Sequence, residues 1–102
     1  MLAELDRCID AARSDPTALA AALSQFLRRM ALHDTPAAAA LYDERWLGYL
    51  DSRLAGDEFA RGVGRVLLDA PFRIAPLYDA AALIALVRRW TRSALDREAG
   101  RA

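Results

Sequence analysis

Two short pairs, Asp15-Pro16 and Thr35-Pro36, constrain the chain more than any other feature. Each places an N-cap residue type directly before a proline, which at the first helical position has no N–H to leave unsatisfied. Between and beyond these pairs the apolar residues recur at helical spacing. Leu2, Leu5, Ile9 and Ala12 predict an amphipathic helix ending near Arg13, with Cys8 bordering its apolar face. Leu19, Leu23, Phe26, Leu27 and Met30 form the inner side of a second helix that stops around His33-Asp34. A third is expected from Pro36 to about Ala55, with Gly56 as its stop and Asp57 as the next N-cap. Phe59, Val63, Val66, Leu67 and Ala70 continue the period into a fourth, where Gly62 and Gly64 permit a close helix crossing.

Pro71 and Pro76 bracket a short connection that lays Phe72 and Ile74 against the core, and the last helix is expected to start at Pro76. From Leu77 to Val87 it is apolar almost all round, which suits a bundle centre or a subunit interface. No window alternates with a strand's period. The expected fold is therefore all-α, a single compact bundle of about five helices forming one domain over residues 1–102.

Composition narrows the function classes. At 102 residues, 55% apolar and 27% charged, the chain belongs with folded globular domains rather than disordered ones. All 14 basic residues are arginine, a bias that points to a GC-rich, bacterial genome and removes lysine-based Schiff-base and P-loop chemistry. Cys8 is the single cysteine, so no internal disulfide is possible and a reducing cytoplasm fits best. The first ten residues carry acids by the sixth position and no apolar h-region, so export is not expected, and the longest near-apolar run, Ala80 to Val87, is too short to cross a bilayer. Net charge is zero, yet residues 1–51 carry five arginines against eight acids and residues 52–102 carry nine against six. Such polarity suits self-association or docking on a charged partner.

Catalytic constellations are missing. His33 is the only histidine and reads as a helix C-terminal cap, while the adjacent acids Asp43-Glu44 and Asp57-Glu58 diverge by about 100° on a helix and do not converge on one substrate. Nothing has the spacing of a metal knuckle or a phosphate loop, so no enzyme activity, cofactor, metal or small-molecule substrate is expected. Arg88, Arg89, Arg92, Arg97 and Arg101 around Trp90 superficially suit nucleic-acid contact, but Leu83, Val87, Trp90 and Ala94 share one helical line that assigns Trp90 to the core or an interface.

The remaining signal is aromatic. In ALYDERWLGYL, Ala40 to Leu50, Tyr42, Trp46 and Tyr49 stand at i, i+4 and i+7, beside an aliphatic line of Leu47, Leu50 and Leu54 suited to the core. Tyrosine and tryptophan combine area with a polar handle and are enriched at interfaces. Tyr42, Trp46, Tyr49, Arg53 and Trp90 are therefore the expected partner-binding residues of a small protein–protein interaction module, an adaptor, chaperone-like or regulatory protein acting as a homodimer or docked on a partner chain. A nucleic-acid-associated regulator using the C-terminal arginines is the alternative.

Two family patterns touch the chain. Arg28 and His33 in RRMALH resemble the Arg and His of HEPN-type ribonucleases, although Arg29 stands where that family has another polar residue. The piece ALYDERWLG, followed by Phe59, Arg65, Pro71 and a final DREAG, resembles the TyeA-type gatekeeper subunits of type III secretion systems. That resemblance implies a small helical protein that binds a larger partner and restrains secretion.

Overall fold

A computed structural model describes residues 2–69 and 78–100 of the chain. Five α-helices and no strand occur among them, so the fold is all-α. Helix α1 spans Leu2–Ala12 and buries Leu5, Ile9 and Ala12. Asp15 then caps α2, Pro16–Asp34, as its pairing with proline foretells: one carboxylate oxygen accepts from the Thr17 and Ala18 amides at 3.0 and 3.2 Å. Leu19, Leu23, Phe26, Leu27 and Met30 are all buried on the inner face of α2.

The third segment departs from expectation. Thr35 makes no side-chain cap, and Pro36 starts only a 3-10 helix, Pro36–Ala40. Arg28 supplies the reason, because its Nη1 donates to the carbonyls of Ala39 and Leu41 at 3.0 and 2.8 Å. A continuous α-helix would turn those carbonyls toward its own amides. Tyr42 is consequently extended, Asp43 takes the left-handed region at φ 54°, and α3 runs only over Asp43–Ser52. At the other end the left-handed residue is Ala55, also at φ 54°, rather than the expected Gly56.

Asp57 does not cap a fourth helix either; only its carbonyl is used, by the Arg61 amide at 2.8 Å. The cap comes from buried Asp51, whose two carboxylate oxygens accept from the Phe59 and Ala60 amides at 2.8 and 2.9 Å. Residues 58–61 form a turn, followed by a 3-10 helix, Val63–Arg65, and a single helical turn α4, Val66–Asp69. Gly64 lies so close to Phe59 that an added Cβ would stand 2.7 Å from its Cα. The glycines thus let the chain fold back on its own loop around Phe59, where a crossing of two helices was expected.

Ala70, Pro71, Phe72, Ile74 and the helix start expected at Pro76 lie outside the described residues. Tyr78 and Asp79 are not helical, and α5 spans Ala80–Gly100 with an Asp79 carboxylate oxygen accepting from the Ala82 amide at 3.0 Å. Leu83, Val87, Trp90 and Ala94 are buried as one line, while the outward face carries the small Ala81 and Ala85. Helix α1 packs on α2 and α5, and α2 packs on α5. One continuous core results, with Trp46, Trp90, Phe26 and Phe59 its largest fully buried side chains. Among the described residues no helix is long and apolar enough to cross a membrane.

Candidate functional site

Four of the five expected contact residues come together where α2, α3 and α5 meet. Trp46 stacks on Tyr49 with ring centroids 5.8 Å apart, and Tyr49 meets Trp90 edge-on at 6.2 Å. Both tryptophans are fully buried. This corrects their assignment to a contact surface: Trp90 anchors α5 to α3 by donating its indole N–H to the Leu50 carbonyl at 3.2 Å, and the Arg28 guanidinium lies 4.3 Å from the Trp46 ring centroid.

Beside the rings sits Asp34, at the last residue of α2, with its side chain 8% exposed. One carboxylate oxygen accepts from the Tyr49 hydroxyl at 2.9 Å, the Thr35 hydroxyl at 3.2 Å and Arg53 Nη2 at 2.8 Å. Arg97 approaches the same oxygen to 3.7 Å and uses its Nη1 on Ser93 Oγ at 2.9 Å and the Arg53 carbonyl at 3.3 Å. Burial pushes the Asp34 carboxyl up, but the Tyr49 hydroxyl and the Arg53 and Arg97 charges outweigh it and hold the group below the usual carboxylate range. Tyr49 moves the other way, raised first by burial and then by donating to Asp34. Arg53 thus serves in an internal ion pair. Neither Asp34 nor Arg97 was singled out in the sequence as part of a polar cluster. Their only sequence signal is an acid in the last turn of α2, where the helix dipole disfavours it and a cation partner is needed.

Tyr42 stands apart. It is 72% exposed and lines an open groove of about 550 Å³ with Ala40, Leu41, Asp43, Glu44 and Arg45. Its turn is held from inside by Arg28 and flanked by the Arg65–Glu44 ion pair. With Leu32, at 56%, Tyr42 completes the set of exposed large apolar side chains among the described residues.

The other candidates find structural places. His33 is exposed in the last turn of α2, while Arg28 is engaged on carbonyls, so the two do not form a paired site. Arg88 pairs with Asp6 at 2.7 Å and Arg89 with Glu58 at 2.6 Å. No group of three or more potential metal ligands occurs among the described residues.

The family model described as "Domain of unknown function (DUF4381)" matches residues 1–93. The chain belongs to the DUF4381 family. The match takes in α1 to α4, most of α5, the Tyr42 turn and, of the Asp34 cluster, every member but Arg97 of this DUF4381 chain. No curated protein and no solved structure matches it.

Proposed function

We propose that this protein is a small non-enzymatic protein–protein interaction module, an adaptor or regulatory domain of the bacterial cytoplasm that docks on a partner chain through the Tyr42 turn. The observation that carries the reading is an exposed tyrosine on a backbone fixed from within. Arg28 holds the carbonyls on both sides of Ala40, and Asp43 is kept at a positive φ that a non-glycine residue rarely adopts. Local strain of this kind persists only where the surroundings over-determine it, and it clusters at binding sites. A ring presented on a fixed turn loses little freedom on association, and its area and hydroxyl suit it to anchor an interface.

Photo-crosslinking in the native host tests the proposal. With benzoylphenylalanine in place of Tyr42, one discrete adduct is expected; with the same residue in place of exposed Asp10, none. An adduct of twice the chain mass identifies a second copy as the partner, and a larger one a different protein. No adduct at position 42, or the same adducts from both positions, would overturn the reading.

A further inference from the structure

We propose that the groove between α1 and α5 is a binding site for an alkyl-chain anion, of which a medium-length fatty carboxylate is the simplest case. The site is separate from the Tyr42 contact and stands or falls without it. Its form follows from the helices that wall it. Arg88 of α5 meets Asp6 of α1 at 2.7 Å, while Arg13, just past the end of α1, shares the groove with Ala80 and Ala81 at the start of α5. The two helices therefore run antiparallel with a trough along their seam. It measures about 500 Å³ and is lined by Arg13, Ala80, Ala81, Ile84, Ala85 and Arg88, a size within the range of small-molecule sites.

Alanine explains the trough. The stretch from Ala80 to Val87 has no polar side chain and turns Leu83, Leu86 and Val87 into the core. Outward it sets Ala81 and Ala85 on successive turns, both exposed, and their methyl groups form a floor below the longer side chains on either side. Such a floor offers water no hydrogen-bond partner, so an apolar chain laid along it is stabilised by burial. The alkyl stems of the arginines extend the walls.

Charge selects the head group. Both charged side chains that line the groove are arginine, one toward each end, and the seven residues from Ala81 to Arg88 cover roughly 10 Å at the helical rise. Both are open to a ligand, since the Arg13 and Arg88 side chains are 64% and 46% exposed. Each meets its acid through Nη2 alone, Arg13 at 3.8 Å from Asp10 and Arg88 at 2.7 Å from Asp6, and neither acid lines the groove. Exposed pairs of this kind contribute little, so the remaining guanidinium donors can take a ligand oxygen without unseating a helix. A carboxylate held at one arginine then sends its chain along the alanines toward the other. The arginines exclude a cationic head group, and the apolar floor favours a tailed anion over a wholly polar one.

The test titrates the whole wild-type chain with sodium decanoate below its micelle concentration, and separately with sodium acetate and decyltrimethylammonium chloride at matched ionic strength. Backbone amides and arginine Nε–H groups are followed by nitrogen-15 NMR. Decanoate should shift Arg13, Ala81, Ala85 and Arg88 saturably, acetate should bind at least about tenfold more weakly, and the cation with the same chain should leave these signals in place. Ala85→Phe, at an exposed position, fills the floor and should abolish the decanoate response. Sedimentation with vesicles separates two sources of the anion. Binding to phosphatidylglycerol but not phosphatidylcholine vesicles assigns it to a membrane lipid, and binding to neither assigns it to a free fatty acid. No saturable decanoate shift at these positions, an equal response to acetate or to decyltrimethylammonium, or an undiminished response in Ala85→Phe would overturn the proposal.

Discussion

Replacing Asp51 by alanine removes the acceptor of two amides at once, those of Phe59 and Ala60. Phe59 is fully buried and Asp51 is 8% exposed, so water does not readily take over. Each charge-assisted bond contributes about 1.5 kcal/mol, and a buried donor left alone costs a similar amount. The loss should be ~3 kcal/mol, which in a domain of this size lowers Tm by roughly 12 °C. Urea unfolding reads it directly, because the buried Trp46 and Trp90 report unfolding by fluorescence. The control is Asp57→Ala, the cap that the sequence pattern nominates. Its side chain is exposed, and only its carbonyl, which alanine retains, is used. That variant should stay within about 0.5 kcal/mol of wild type. Equal costs for the two variants, or a loss below about 1 kcal/mol at Asp51, would refute the assignment of the cap.

Two glycines give opposite expectations. Gly48 lies exposed inside α3 with open space around an added Cβ, so Gly48→Ala should stabilise by about 0.5–1 kcal/mol, whereas Gly64→Ala drives a methyl into the Phe59 backbone and should cost about 1–3 kcal/mol; thermal melts decide both. The pH dependence has two limbs. Asp34 is depressed in the fold, so its contribution is present above its ordinary value of 3.8 and is lost as pH falls through the lower folded value; Asp34→Asn should flatten the fall of Tm on acidification below about pH 5. Tyr49 is raised, so its contribution is present below 10.0 and is lost as pH rises through the higher folded value; Tyr49→Phe should flatten the alkaline limb of the same scan.

Helix faces were legible in the sequence because burial repeats with the helical period. Leu5 and Ile9, Leu23 and Phe26, and Leu83, Val87 and Trp90 all sit where spacing alone puts them. What spacing does not contain is a long-range competitor for a backbone group. Arg28 reaches across 11 and 13 residues to take carbonyls from an expected helix, and Asp51 reaches eight and nine residues to cap a turn. Proline pairs mark a helix start, yet Thr35-Pro36 begins only a 3-10 segment because its next carbonyls are already claimed. The candidate site was legible in part for the same reason. The aromatic spacing found Trp46 and Tyr49, but their partition into buried ring and half-buried hydroxyl depends on Asp34 and Arg97, contributed by other helices.

Charge asymmetry along the chain, read at first as a handle for a partner, is largely spent inside the monomer. Asp6 pairs with Arg88, Asp34 with Arg53 and Arg97, and Glu44 with Arg65, each an acid of the first half against an arginine of the second. The packing of α1 and α2 on α5 brings acids of the first half onto arginines of the second, so part of the polarity in sequence is neutralised in space. The exposed pairs should then set register more than stability, since pairs of that kind contribute about 0.2–1 kcal/mol. Asp6 and Arg88 are 53% and 46% exposed and join α1 to α5, which makes them the place to measure it. Asp6→Arg and Arg88→Asp should each destabilise slightly, and the exchanged double variant should recover most of the loss. Strict additivity of the two costs would show that the pair is uncoupled, and the asymmetry would again be available to a partner.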